Sequence, residues 1–172
     1  MRLKKRGIIS VFLANAVLSY FPSTRLFKIK ARILFFLGYD IHKTARIAGK
    51  VRIIGRGGIS IGQDTWIGVG CKFYVDESSN ISVGNYCDLA PEVILHTGTH
   101  QVSTIKRRAG VGINNDILIG DYSWVGLRST IISGAMLPDG VIVGAAALVL
   151  NNTSYEANTL YAGVPIKKIK PL

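Results

Sequence analysis

Apolar residues return at every sixth position over most of this chain. Ile41, Ile47 and Ile53 are followed by Ile61, Ile67 and Phe73, then by Val83, Leu89 and Leu95. The longest unbroken series is Ile119, Val125, Ile131, Leu137, Val143 and Val149. Four residues after each of these lies a second register of small side chains, Ala45, Val51, Thr65, Cys71, Cys87, Val93, Ser123, Ser129, Ala135, Val141 and Ala147 among them, with Glu77 the exception. A helix repeats every 3.6 residues and a strand every 2, and neither period puts a small residue at one fixed phase of six. A fixed short repeat marks a β-solenoid, in which each coil buries its inner row only by stacking on its neighbours.

Taken in threes, the repeats make five coils over residues 41–154, a column about 24 Å tall at about 4.8 Å per coil. Turn insertions, Gly55-Arg56-Gly57-Gly58 and the run from Asp76 to Asn80, account for the two longer gaps between the first three coils. Glycine follows the inward residue at Gly62, Gly68, Gly84, Gly120, Gly126 and Gly144, where a strained corner would favour it. Between His96 and Ile117 the beat stops, and this excursion carries His96, His100, Lys106, Arg107 and Arg108. Long excursions on a rigid scaffold often carry function. The chain thus divides into an arm (1–38), the solenoid (39–154, with the excursion at 96–117) and a tail (155–172).

The net charge of +11 is concentrated in the arm, where Arg2, Lys4, Lys5, Arg6, Arg25, Lys28, Lys30 and Arg32 precede the first acid, Asp40. That asymmetry points to an anionic surface as partner; nucleic acid is not expected. The arm reads as two short helices around Pro22. In the second, Leu26, Ile29, Ile33 and Phe36 share one face and Arg25, Lys28 and Arg32 another, the pattern of an amphipathic basic helix. Ser23 or Thr24 is placed to cap it and Gly38 to end it. Two compatible roles follow: peripheral contact with the inner face of the cytoplasmic membrane, and a lid on the open end of the solenoid. Arg2 to Arg6 followed by Ile8 to Phe21 mimics a signal peptide. Asn15 interrupts the apolar run and Pro22 closes it, short of the roughly 20 residues a span needs. The two cysteines, Cys71 and Cys87, occupy the small inward register at different phases of the coil. They are expected to be buried free thiols, in keeping with a reducing, cytoplasmic location.

The hexapeptide rhythm, the excursion opening Leu95-His96-Thr97-Gly98-Thr99-His100, and the run from Tyr161 through Gly163-Val164-Pro165 to Lys170 together resemble the hexapeptide-repeat acyltransferases. The likeness is closest to the galactoside, maltose and polysaccharide O-acetyltransferases and spans residues 35–172. It implies a left-handed parallel β-helix assembled as a homotrimer, with acetyl-CoA as co-substrate in a groove between columns. It also implies an acetyl transfer to a sugar hydroxyl, here in a surface polysaccharide such as O-antigen, capsule or exopolysaccharide.

Such a reaction needs a base to take the hydroxyl proton as the oxygen attacks the thioester. The resemblance makes His100 the first candidate and His96 the second. A carboxylate often orients a catalytic imidazole, and Asp88 and Glu92 lie in the same coil, with nothing in the sequence to choose between them. The resemblance places the pantetheine arm along Gly126, Leu127, Ala145 and Ala146, and the nucleotide phosphates near Lys167 and Lys170. No metal site is expected. The chain departs from the family at Gln101, where many members have an acid, and at Val69-Gly70-Cys71, which leaves the acceptor open; Leu150-Asn151 stands where the family has Thr-Lys, which removes one expected contact with CoA. Competing readings are N-acetylation of an amino sugar, a metalloenzyme like the γ-class carbonic anhydrases, and a non-catalytic scaffold. The metal reading suffers because zinc there takes three histidines, and His42 belongs to the first coil.

Overall fold

The structure, a computed structural model, describes residues 6–151 and 153–172. Arg2, Lys4 and Lys5 of the basic arm lie outside the described residues. Two helices, α1 (Ile8–Tyr20) and α2 (Phe27–Phe36), precede the repeats. The first coil is β1 (Asp40–Ile41), β2 (Arg46–Ile47) and β3 (Arg52–Ile54); the second is β4 (Gly58–Ile61), β5 (Trp66–Ile67) and β6 (Lys72–Tyr74). The third is β7 (Asn80–Val83), β8 (Asp88–Leu89) and β9 (Ile94–His96), followed by a hairpin of β10 (Gly98–Val102) and β11 (Ala109–Asn114). The fourth is β12 (Ile117–Ile119), β13 (Trp124–Val125) and β14 (Thr130–Ile132); the fifth is β15 (Met136–Leu137), β16 (Ile142–Val143) and β17 (Leu148–Val149). Then come β18 (Thr159–Ala162) and β19 (Lys167–Pro171).

Corresponding strands of successive coils pair in parallel and build three flat faces, here called A (β1, β4, β7, β12, β15), B (β2, β5, β8, β13, β16, β18) and C (β3, β6, β9, β14, β17). The register keeps every inward residue over its counterpart: Ile61 on Val83, Val83 on Ile119, Ile119 on Leu137. These side chains are no more than 4% exposed, and the fold is the β-helix that the hexapeptide spacing implies, left-handed as the resemblance implies. The small register lines the corners. There Thr65 Oγ1 donates to Gly84 O (2.6 Å) and Ser129 Oγ to Gly144 O (2.8 Å), satisfying backbone groups that the turn leaves unpaired.

The solenoid continues further than the five coils counted from sequence. Tyr155 and Tyr161 prolong the beat beyond Val149, β18 pairs in parallel with β16, and buried Ile166 donates its N–H to Leu148 O. A sixth, partial turn therefore closes the C-terminal end, and β19 folds back antiparallel on β18.

The corner glycines serve a different purpose from the one expected. Gly62, Gly68 and Gly126 have ordinary φ; a Cβ on any of them would lie 2.6 Å from an atom of the next coil. They are small because the coils stack closely. The left-handed positions are filled mostly by side-chain-bearing residues, Lys50, Asp64, Tyr86, Glu92, Tyr122, Arg128 and Ala146, with φ of 50–61°, and by a separate set of glycines, Gly70, Gly134 and Gly140.

At the N-terminal end, α1 packs Ala14 and Leu18 onto the first coil. Asn15 treats the free edge of β3 as a further strand would, accepting from Ile53 N–H (3.0 Å) and donating to Ile53 O (2.8 Å). α2 buries Lys30, Ala31 and Leu34, whereas Leu26, Ile29 and Phe36 of the expected apolar stripe are exposed. Lys30 donates to Pro22 O (3.1 Å) and Ser23 O (3.4 Å), which ties α2 to the turn before it. The helix starts after Leu26 in a left-handed conformation with no side-chain cap, so neither Ser23 nor Thr24 caps it; Gly38, at φ +94°, ends it as expected. Among the described residues no helix is long and apolar enough to cross a membrane.

Candidate active site

The excursion is a two-stranded hairpin leaving the corner between faces C and A. Thr97 roots it. Its side chain is fully buried, its N–H donates to Tyr74 O (3.0 Å), and its hydroxyl meets Ser79 Oγ at 2.7 Å. The returning strand is tied to the same residue by Asn115 N–H donating to Thr97 O (3.0 Å). The chain thus departs and re-enters without shifting the stack, and Ile117 resumes the ladder over Ile81.

His100 projects from β10 opposite Gly112, beside an irregularity in the register between His100 and Val102. Its Nδ1 lies 3.0 Å from Gly110 O. A carbonyl only accepts, so the contact requires a proton on Nδ1 and leaves the lone pair of the neutral ring on Nε2. His96 ends β9, beside Tyr74 of β6, with ring centroids 5.0 Å apart. Its Nδ1 approaches both Gly98 O (2.8 Å) and Gly98 N–H (3.2 Å). Both imidazoles are therefore oriented by backbone of the hairpin. Tyr74 and Gly110 gave no signal in the sequence, because one is a surface position of the repeat and the other a glycine outside it.

Neither carboxylate considered as an orienting group contacts these rings within the described residues. Asp88 opens β8 on face B, level with Trp66 and Trp124. Glu92 sits at the corner between faces B and C, ion-paired to Arg128, whose hydrogen bond holds the Glu92 carboxyl below the usual carboxylate range. The candidate acyl-carrier contacts do come together at this second corner. Ala146 N–H donates to Leu127 O (2.7 Å), and Gly126 must lack a Cβ because Ala145 N lies beneath it. Leu127, Ala145 and Ala146 face solvent, which leaves a ledge of mostly small side chains. At the end of the column Lys167 pairs with Ala162 and Lys170 with Leu160; neither lysine is ion-paired among the described residues, whereas Lys168 is held by Glu156. Small side chains along exposed backbone and two free cations suit an extended thioester carrier with phosphates.

His42 lies on the first coil, against Thr44. Among the described residues no three His, Cys, Asp or Glu side chains gather as a metal ion would need. Cys71 and Cys87 are free and buried; burial pushes their thiols up to about 12 and about 11, which suppresses the reactive thiolate.

No protein-family model matches the chain. Polysialic acid O-acetyltransferase of Escherichia coli O1:K1 is 32% identical over 95 residues, 55% of this chain and 31% of that protein. A protein of E. coli K12, provisionally named a colanic acid biosynthesis acetyltransferase, is 25% identical over 145 residues, 84% of this chain and 76% of its own length. A galactoside acetyltransferase solved in complex with coenzyme A superposes with a TM-score of 0.77, covering 95% of this chain and 79% of that one, at 18% identity. The chain spans about a third to just over half the length of several of the curated relatives it matches. These relatives and this neighbour carry acetyltransferase names and agree with the resemblance of residues 35–172 to the hexapeptide-repeat acyltransferases; a mitochondrial gamma carbonic anhydrase of Arabidopsis thaliana is also similar, 24% identical over 141 residues, 77% of this chain and 50% of that protein.

Proposed function

We propose that this protein is an acetyl-CoA-dependent O-acetyltransferase acting on a sugar hydroxyl of a surface polysaccharide or its lipid-linked precursor. The observation that carries the reading is the Nδ1 contact of His100 with Gly110 O, which leaves Nε2 free on an exposed hairpin. In the reaction Nε2 takes the proton of the acceptor hydroxyl as its oxygen bonds to the acetyl carbon. The carbon–sulfur bond then breaks, and the imidazolium returns the proton to the departing thiolate. His96, beside Tyr74, is placed to position the acceptor. Gly126, Leu127, Ala145 and Ala146 would bind the pantetheine arm, and Lys167 and Lys170 the phosphates.

In a single chain the hairpin and the ledge lie at different corners, with face C between them. That separation supports a site completed by two neighbouring copies, as in a homotrimer. The basic arm supports a cytoplasmic enzyme in peripheral contact with the inner membrane face.

The test is His100→Ala. Transfer falls by about 10²–10⁴-fold, while calorimetric titration with acetyl-CoA still gives saturable binding near one per chain. An unchanged rate would remove His100 from the mechanism, and no binding by the folded native protein would remove the acyltransferase reading altogether.

A further inference from the structure

The arm presents more apolar surface than a lid requires. The outward side of α1 exposes Ile8 (74%), Ile9 (71%), Phe12 (72%) and Leu13, and α2 exposes Ile29, Phe35 and Phe36 (79%). Both helices lie over the first coil, and between α2 and β1 runs a groove of about 720 Å³. Its apolar lining is Ile29, Phe35, Phe36 and Ile41; its charged groups are Lys28, Arg32 and Lys43 against Asp40, with His42 alongside. Lys28, Arg32 and Lys43 make no ion pair among the described residues. Exposed apolar patches with a polar rim mark contact surfaces. Here the cations narrow the choice of occupant. A second copy docked face to face would use the same surface on both sides, bringing together two patches that each carry Lys28, Arg32 and Lys43 against the single acid Asp40. An anionic amphiphile satisfies both halves of the groove, its phosphate on the cations and its chain on the aromatic floor.

We propose that the groove seats the headgroup of an anionic phospholipid, with the outward faces of α1 and α2 inserted into the interfacial layer of the bilayer around it. This rests on the membrane contact proposed above and adds the site that makes the contact selective. Interfacial helices bind through buried apolar area plus attraction to anionic lipid. The two terms predict different losses.

The experiment is co-sedimentation of the full chain with phosphatidylcholine vesicles with and without phosphatidylglycerol, in the absence of acetyl-CoA. The native protein is expected to pellet with the phosphatidylglycerol vesicles only. Removing two cations with K28Q/R32Q weakens that binding about 30-fold, and Phe36→Asp abolishes it. Lys106→Gln on the hairpin leaves binding unchanged. Inorganic phosphate, at matched ionic strength, does not compete, because it lacks the chain. All four positions are exposed, so the variants fold, which circular dichroism checks. A native protein that pellets with neither vesicle removes the membrane contact itself. Native binding that K28Q/R32Q retains removes the groove but leaves the contact. Equal binding to neutral vesicles removes the selectivity, and a dimer that Phe36→Asp dissolves assigns the face to a second copy. None of these outcomes depends on the transfer reaction.

Discussion

The two ends of the column meet the same problem with different means. Each end coil has a strand edge with no coil beyond it. At the N-terminal end Asn15 supplies one acceptor and one donor to Ile53. At the C-terminal end the Tyr155 hydroxyl does the same for Leu150, accepting from its N–H (3.2 Å) and donating to its O (2.7 Å). Beyond these pins the ends diverge. The C-terminal closure is made by the repeat itself, through Tyr155, Tyr161 and Ile166, and its outer strand sets exposed Ile169 among Lys167, Lys168 and Lys170. The N-terminal closure uses foreign helices, with apolar residues on their outward as well as their inward sides. Closing a solenoid requires only the inner side to be apolar. The outward side of α1 must therefore answer to something other than the core.

Substitutions at the two ends sharpen or break that contrast. The largest effect is expected at Leu18, fully buried where α1 meets the first coil. Leu18→Ala lowers unfolding stability by about 2–5 kcal/mol, read by denaturant titration. Next is Asn15→Ala, which strands both polar groups of buried Ile53 and costs about 2–3 kcal/mol. Tyr155→Phe disturbs the equivalent pair at a half-buried site that water reaches, and costs about 1 kcal/mol; equal losses for these two would show that the ends are equally dry. The smallest effect is expected at Phe12, where Phe12→Ser changes stability by less than about 0.5 kcal/mol. A large loss there would mean that the outward side of α1 is needed for folding, and the contrast between the ends would collapse.

The inner column was legible because Ile61, Val83, Ile119 and Leu137 face one environment, a dry interior repeated coil after coil. The sixth turn was not, because aromatic Tyr155 and Tyr161 replace aliphatic residues and Ile166 arrives one residue early. The corner glycines were legible as positions and misread as to cause. Glycine answers both to φ and to space, and only the distance from Gly126 to the backbone of the next coil separates the two. For α2 the apolar stripe of Leu26, Ile29 and Phe36 was visible, but its outward direction was set by a buried lysine. Lys30 reaches its carbonyl partners only across the Pro22 turn, a contact no periodicity encodes. At the site, the histidines stood out against a repeat that otherwise holds only His42. Their carbonyl partners did not, since every residue has a carbonyl, and pairing His100 with Gly110 depends on the bulge in the hairpin.

The root of the hairpin has a consequence for how such a chain can diverge. Thr97 and Asn115 close the excursion on themselves, and the coils above and below pair as though it were missing. Closure entropy rises only as the logarithm of loop length. Insertions, deletions or wholesale exchange of residues 98–114 are then nearly neutral to the column. The hairpin behaves as a cassette: a lineage can rebuild it while leaving untouched the scaffold that keeps the protein folded.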